Sequence, residues 1–158
     1  MKKLFGICAA ALLLAAAPAS AADTRMVANL SGGEEAPAIV LTGAFGTATV
    51  TIDSVTQRVT VDLTVYNLPT GSTAGHIHVG PKGAAGPVVL DFTFPPGRTG
   101  DFALQFRLSA ADFRARPEIG IATMDDAIQA IFAGNAYVNV HTSTFPGGEI
   151  RGQLVNAN

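Results

Sequence analysis

All three histidines of the 158-residue chain lie in two short stretches in which polar and apolar residues alternate, residues 75–79 (GHIHV) and 137–142 (YVNVHT). Successive side chains of a β-strand point to opposite faces, so His76 and His78 share one face. Neutral imidazole binds zinc, copper, iron and nickel. The pattern therefore predicts that His76, His78 and His141 hold one transition-metal ion, copper or zinc. The alternative is that the three rings only hydrogen-bond to nearby loops.

The second stretch divides between the two faces of its strand. Val138 and Val140 are expected to face the core, which leaves His141 on the outer face. If the last two strands form a hairpin, the residue beside His141 is expected to be Glu149 or Arg151, because the apolar residues between them face inward. Additional ligands or hydrogen-bond partners are expected among the polar residues of these strands and of a glycine-rich turn: Glu35, Glu149, Arg151, Asn139 and Tyr137.

The other residues that could carry chemistry do not form a catalytic motif. The glycine-rich segment 80–86 lacks the Gly-Lys-Ser/Thr ending of a phosphate-binding loop. No serine stands in a Gly-x-Ser-x-Gly elbow, and the sole cysteine, Cys8, lies near the amino terminus. No catalytic residue is therefore predicted, and a non-enzymatic function is favoured.

The amino-terminal residues have the pattern of an export signal rather than of a folded segment. Two lysines are followed by an apolar stretch over residues 4–17 and by the small-x-small cleavage site Ala-Ser-Ala at residues 19–21. We therefore expect a signal peptide at residues 1–21, a single mature domain at residues 22–158, and a periplasmic or secreted protein. No later segment has the roughly 18 continuous apolar residues of a membrane span, so no membrane anchor is expected.

Charge argues against nucleic acid as a partner. The whole chain has ten Lys and Arg residues and twelve Asp and Glu residues, and loss of the two signal-peptide lysines changes the formal charge from −2 to −4. The remaining basic residues are scattered, whereas a nucleic-acid-binding domain presents a basic face. The partners left open are a metal ion and an unidentified extracellular protein.

The mature chain alternates with period two between turn-forming residues, which indicates half-buried strands. About eight strands joined by short loops favour an antiparallel sandwich or Greek-key barrel. Two short helices are predicted late in the chain, one after Ser109 and ending at Pro117, the other after Thr123 and ending at Gly134. The predicted strands are 26–30, 47–52, 59–66, 75–79, 88–92, 102–108, 136–142 and 149–155.

Several sequence blocks, in order along the mature chain, resemble the chordin-type (CHRD) domain family, which occurs in extracellular chordin and in bacterial exported proteins. They are Leu30-Ser31-Gly32 with Glu35 and Pro37, Gly46, residues 74–78 (AGHIH) with Gly80, Gly86-Pro87, and residues 137–142 followed by Pro146 and residues 148–153 (GEIRGQ). The resemblance implies an immunoglobulin-like β-barrel, distantly similar to copper-zinc superoxide dismutases. It implies no established activity.

The comparison with those dismutases extends to part of their metal site only. They need more histidines than this chain has, and an aspartate on zinc. His76, His78 and His141 are the residues that can be matched, with Arg151 as a counterpart of their anion-guiding arginine. Three hypotheses follow: a non-enzymatic exported binding module with one metal ion, a copper-only dismutase-like redox enzyme, and a metal-free adhesion or scaffold domain.

Overall fold

A computed structural model describes residues 23–157 of the chain. The predicted signal peptide lies outside the described residues. The described part contains nine strands, one α-helix and two short 3-10 helices, Gly32–Glu34 and Pro117–Ile119. The strands are β1 Thr24–Ser31, β2 Phe45–Asp53, β3 Arg58–Leu68, β4 Ser72–Val79, β5 Val88–Phe92, β6 Gly100–Leu108, β7 Ala136–Thr142, β8 Ile150–Gln153 and β9 Val155–Asn156, and the helix is α1 Met124–Phe132.

The strands form one antiparallel sheet that curls into an almost closed barrel. Its order is β5-β4-β7-β8-β1-β2-β3-β6, with β9 paired to β1. The neighbours β4/β7, β8/β1 and β3/β6 are not consecutive in the chain, as expected for a Greek-key arrangement. Between the two end strands, Phe92 stacks on Phe106 with ring centroids 4.8 Å apart. Aromatic packing therefore lies where ladder hydrogen bonds between β5 and β6 are missing. The predicted all-β fold is confirmed.

Alternation along the strands builds the core. In β3, Val59, Val61, Leu63 and Val65 are each at most 1 % exposed, while the residues between them face outward. Their β-branched and aliphatic side chains pack well on a pleated surface. The side chains expected to be buried in β4, β7 and the last strand are also solvent-inaccessible, namely Ile77, Val138, Val140, Ile150 and Leu154. The predicted inward faces are therefore correct.

Of the two predicted helices, only the second forms. Thr123 caps α1 through a capping box with Asp126, and Ala127, Ile128 and Ile131 are buried. The first prediction is wrong: after Ser109 the chain makes a turn, in which the Asp112 carboxylate accepts bonds from the Ser109 amide and hydroxyl. The capping pattern of Ser109 and Asp112 closes a turn here and starts no helix, because the residues that follow run alongside β5. There the Arg114 amide donates to the Val89 carbonyl.

The last predicted strand is divided in two. Residues of β8 pair with β7, whereas β9 pairs with β1 through Val27 opposite Val155. Leu154, between the two segments, is fully buried. Within residues 23–157, no helix is long and apolar enough to cross a membrane.

The outer face of β7 is buried, although its polar residues would face solvent in a simple sandwich. Tyr137 and Asn139 lie opposite the core-facing valines, as predicted, but are only 2 % and 3 % exposed. Three segments, here called the covering loops, lie over this face: residues 32–44, 80–87 and 143–149. Each bonds to a β7 side chain: Glu35 to Asn139, Gly86 to Tyr137 and Pro146 to His141. The face that sequence alternation marks as polar is therefore an interior layer.

Candidate metal centre

The sheet brings the three histidines together. His76 and His78 project from β4, and His141 projects from the neighbouring strand β7, with Asn139 directly opposite His76. One ring nitrogen from each histidine lies within 4.8 Å of one from each of the others. His78 and His141 are 8 % and 7 % exposed, and the side chain of His76 is 18 % exposed. The cluster is thus nearly buried, and His76 is its most accessible member.

Backbone carbonyls of two covering loops orient two of the rings. Nδ1 of His78 lies 2.8 Å from the Gly86 carbonyl, and Nδ1 of His141 lies 3.0 Å from the Pro146 carbonyl. A carbonyl only accepts, so each Nδ1 carries the proton and donates it. In the neutral rings Nε2 is then left with a free lone pair. Nε2 of His78 is buried and has no hydrogen-bond partner among the described residues.

Tyr137 and Arg151 support His78 from the side. The Tyr137 ring stacks on His78 with centroids 4.8 Å apart and planes 7° apart. The Arg151 guanidinium lies 3.4 Å from the centre of the same tyrosine ring and donates to the Pro81 carbonyl. Since β4 and β8 flank β7, the tyrosine lies between imidazole and guanidinium. Arg151 is only 2 % exposed and is bonded within the protein, so its guanidinium does not meet solvent as the dismutase comparison implies.

Gly86 allows the covering loop to approach the strand. A Cβ at this position would lie 1.8 Å from the Val79 carbonyl oxygen, which no side chain can tolerate. The close approach lets the Gly86 amide donate to the Tyr137 hydroxyl, and its carbonyl accepts from both Tyr137 and His78. The sequence analysis assigns residues 80–86 no role beyond excluding a phosphate-binding loop. Glycine next to proline was the available signal, but it does not say what the loop covers.

A carboxylate contact to His76 was missed by the sequence analysis. Asp91 of β5 stands opposite His76, and its Oδ1 lies 3.2 Å from Nε2 of the ring. Arg114 in turn donates to the other oxygen of the Asp91 carboxylate. Asp91 is the only charged residue of its strand, which was a usable signal. Without knowing that β5 pairs with β4, the sequence could not connect it to a histidine.

Burial keeps the histidines neutral. Burial and, to a smaller extent, the charge of His141 lower the pKa of His76 to about 4, although the charge of Asp91 opposes this. Burial also lowers the pKa of His78 to about 4, against the opposing effect of its bond to Gly86. The pKa of His141 is lowered by burial as well. At neutral pH the contact between His76 and Asp91 therefore involves a neutral ring and not an ion pair, and each of the three neutral imidazoles has one unprotonated nitrogen.

Glu35 lies beside the cluster and outside the group of ligand atoms that converge. Its carboxylate accepts a bond from the Asn139 amide at 3.4 Å, while Oε1 of Glu35 and Oδ1 of Asn139 are both buried without a partner among the described residues. Burial raises the pKa of Glu35 to about 7, although the positive charge of Arg151 opposes this. Glu35 also lines a cavity of about 290 Å³ together with Pro146 and Gly148.

The expected neighbour of His141 is not where the sequence placed it. Arg151 pairs with Asn139 in the ladder, and regular pairing ends at Ile150 opposite Val140. The Glu149 amide also donates to the Val140 carbonyl, so the strand is irregular at this point. Glu149 is fully buried, and its carboxylate accepts bonds from the Thr42 and Thr142 hydroxyls. Its side chain joins a covering loop to β7 and is not among the ligand atoms that converge.

Comparison with known families agrees with this architecture. The CHRD domain profile matches residues 26–154, which is most of the chain. The chain belongs to the CHRD family. Searches of curated proteins and of solved structures returned no significant match for this CHRD domain. The matched region spans every strand except the first residues of β1 and the short β9, and it includes all three histidines.

Proposed function

We propose that this CHRD protein is a non-enzymatic binding module that holds one copper or zinc ion through His76, His78 and His141. The observation that supports this most directly is the buried Nε2 of His78, which has a lone pair and no partner among the described residues. Buried polar atoms are normally hydrogen-bonded. A cation bound by the three rings would satisfy this atom.

The hydrogen bonds of His78 and His141 are of the kind that metal-binding histidines commonly make. A metal-binding histidine usually donates its second nitrogen to a carbonyl or carboxylate, which fixes ring orientation and tautomer. His78 and His141 already donate in this way to Gly86 and Pro146. Borderline metals such as zinc and copper accept imidazole nitrogen. The residues present therefore fit such an ion, which would act as a cross-link between β4, β7 and two covering loops.

Metal titration of tag-free protein tests the proposal. We expect calorimetry with zinc or with copper to show one site per chain in the wild type. His78→Phe should abolish binding, since phenylalanine keeps a flat ring against Tyr137 but supplies no nitrogen. Asp62→Ala, on the exposed face of β3, is the matched control and should bind as the wild type does. Equal binding by wild type and His78→Phe would mean that the three histidines do not hold the metal, and binding by neither would leave the metal-free scaffold hypothesis.

Export is part of the same proposal. The apolar stretch and the Ala-Ser-Ala site support cleavage before Ala22. The intact mass of protein recovered from periplasm or medium should therefore begin at Ala22. A mass that still includes Cys8 would contradict the signal-peptide prediction. A redox role has no specific supporting observation, and superoxide turnover by copper-loaded protein would distinguish it from simple binding.

A further inference from the structure

His76 lies between two hydrogen-bond acceptors. Its Nδ1 is 3.0 Å from Nε2 of His141, and its Nε2 is 3.2 Å from Oδ1 of Asp91. Nε2 of His141 holds a lone pair, because the proton of that ring is donated to Pro146. A neutral imidazole has one proton, so His76 can donate to His141 or to Asp91 but not to both.

The surroundings of Asp91 favour the second arrangement. Arg114 donates to Asp91 and holds the carboxylate in place, and the β4/β5 ladder sets Asp91 directly opposite His76. A hydrogen bond to an ionised acceptor is about twice as strong as one between neutral groups. Histidine binds a metal as the neutral imidazole, so the choice lies between two tautomers of one neutral ring and does not require a second proton.

We propose that Asp91 is a positioning residue of the metal centre: its carboxylate holds the proton of His76 on Nε2 and thereby leaves the Nδ1 lone pair facing Nε2 of His141. The tautomer assignment stands on these contacts alone, whereas its consequence for metal affinity rests on the proposed function. Without Asp91, the His76 proton would move to Nδ1 and be donated to His141, which would occupy two of the three ligand nitrogens at once.

The distance between these two nitrogens suits a shared cation. Two lone pairs that face each other at 3.0 Å repel, and a positive ion between the rings would remove the repulsion. Two nitrogens bound to one tetrahedral zinc at about 2.0 to 2.1 Å are separated by about 3.3 Å. The observed spacing is within a few tenths of an ångström of that value. The carboxylate behind His76 would also increase the basicity of its ligand nitrogen.

Imidazole tautomers of the metal-free protein, measured by nitrogen-15 NMR near pH 7.5, test the assignment. In the wild type we expect His76 to carry its proton on Nε2 and the other two histidines to carry theirs on Nδ1. Asp91→Ala should move the His76 proton to Nδ1, whereas Asp91→Asn, whose amide oxygen still accepts, should keep it on Nε2. Asp62→Ala is the control for loss of a strand aspartate far from the ring. A wild-type His76 protonated on Nδ1 would overturn the proposal even if Asp91→Ala failed to fold.

Zinc titration gives the second readout. Loss of a group that orients a metal ligand typically costs 10- to 100-fold in affinity, so we expect that loss in Asp91→Ala and a smaller one in Asp91→Asn. Unchanged zinc affinity in a folded Asp91→Ala would contradict the positioning role. If the wild type binds no zinc or copper, the proposed function fails, while the tautomer measurement still decides whether Asp91 sets the His76 proton.

Discussion

Strands β3 and β7 have similar alternating sequences but different surroundings. In β3 the inward residues are buried and the outward ones, such as Thr60 and Asp62, are half-buried or exposed. In β7 every residue is buried, although Tyr137, Asn139 and His141 alternate with core residues in the same way. Alternation in sequence therefore reports which side chains share a face. It does not report whether the polar face meets water.

The difference comes from the covering loops. Exposed polar residues on β3 need no fixed partner, since water supplies one. Under the covering loops each polar side chain must find a partner in the protein, because an unpaired buried polar group costs about 1 to 3 kcal/mol. Backbone carbonyls of Gly86 and Pro146 supply two of these partners. The loops that hide the polar layer are thus the same segments that orient the histidines.

Hydrogen bonding of the buried polar side chains in this layer is incomplete. Among the described residues, five buried side-chain atoms have no hydrogen-bond partner. Four of them belong to the outward faces of β4, β7 and β8 or to a covering loop: Glu35, His78, Asn139 and Gln153. Such unpaired atoms are uncommon in native proteins and deserve a specific cause. The fifth, Oγ1 of Thr70, lies in the turn between β3 and β4, so most of the unpaired atoms belong to the covered layer that contains the histidines.

The largest loss of stability should come from replacing Glu149, whose buried carboxylate bonds to a covering loop and to β7. Glu149→Ala removes the acceptor for two buried hydroxyls, Thr42 and Thr142, and leaves a cavity. We expect it to lower the free energy of unfolding by about 2 to 4 kcal/mol in urea denaturation. Asp62→Ala on β3 removes an exposed bond to Gln105 and should cost less than about 0.5 kcal/mol. Similar losses in the two variants would mean that the covering loops do not seal this face.

Truncation of a valine on the inner face of β3 or of β7 should cost a similar amount of stability, less than Glu149→Ala does. Val61 of β3 and Val140 of β7 are both fully buried in the same core. Val61→Ala and Val140→Ala should each cost about 1 to 3 kcal/mol through lost burial and a residual cavity. Thermal or urea unfolding measures both. A much larger loss for Val140→Ala would indicate that the core and the polar layer beyond it are coupled.

The sequence could predict the strands, but not the contacts beneath the covering loops. Period-two alternation located all eight principal strands and the inward faces of β3, β4, β7 and β8, because that pattern depends on local geometry and burial. It also placed the three histidines on the outer side. The partner of His141, the contact between His76 and Asp91, and the burial of Arg151 were not predictable, because they depend on strand order, on the irregularity at Glu149 and on loops that pack across the sheet.

Acidification should distinguish the covered side of the sheet from β3 by a pH-dependent change in stability. The pKa values of His76 and His78 are about 4 in the folded protein, against 6.5 for a free histidine. Between pH 6.5 and 4 the unfolded chain binds protons that the folded protein does not, so the free energy of unfolding of metal-free protein should fall as pH falls through this window. The slope should be shallower in His78→Phe. A slope that is equal in this variant would show that His78 is not buried as the structure places it.

The smaller of the two pH effects concerns Glu35 and has the opposite sign. Its pKa is raised from 4.5 to about 7 by burial, so between these values the folded protein holds a proton that the unfolded chain has released. Stability from this group is therefore present at low pH and is lost as pH rises from 4.5 to 7. One carboxyl group should change the total less than the histidines together do.

Replacement by glutamine isolates this contribution. In Glu35→Gln the side chain stays neutral at every pH and its amide can donate to Oδ1 of Asn139, an atom with no partner among the described residues. We expect the variant and the wild type to be equally stable in urea at pH 4.5, and the variant to become progressively more stable as pH approaches 8. Asp53→Asn, at an exposed turn, is the control for loss of one negative charge. If Glu35→Gln were less stable at pH 8, the carboxylate would be ionised and well paired with Arg151, and the polar layer next to the histidines would be charged rather than neutral.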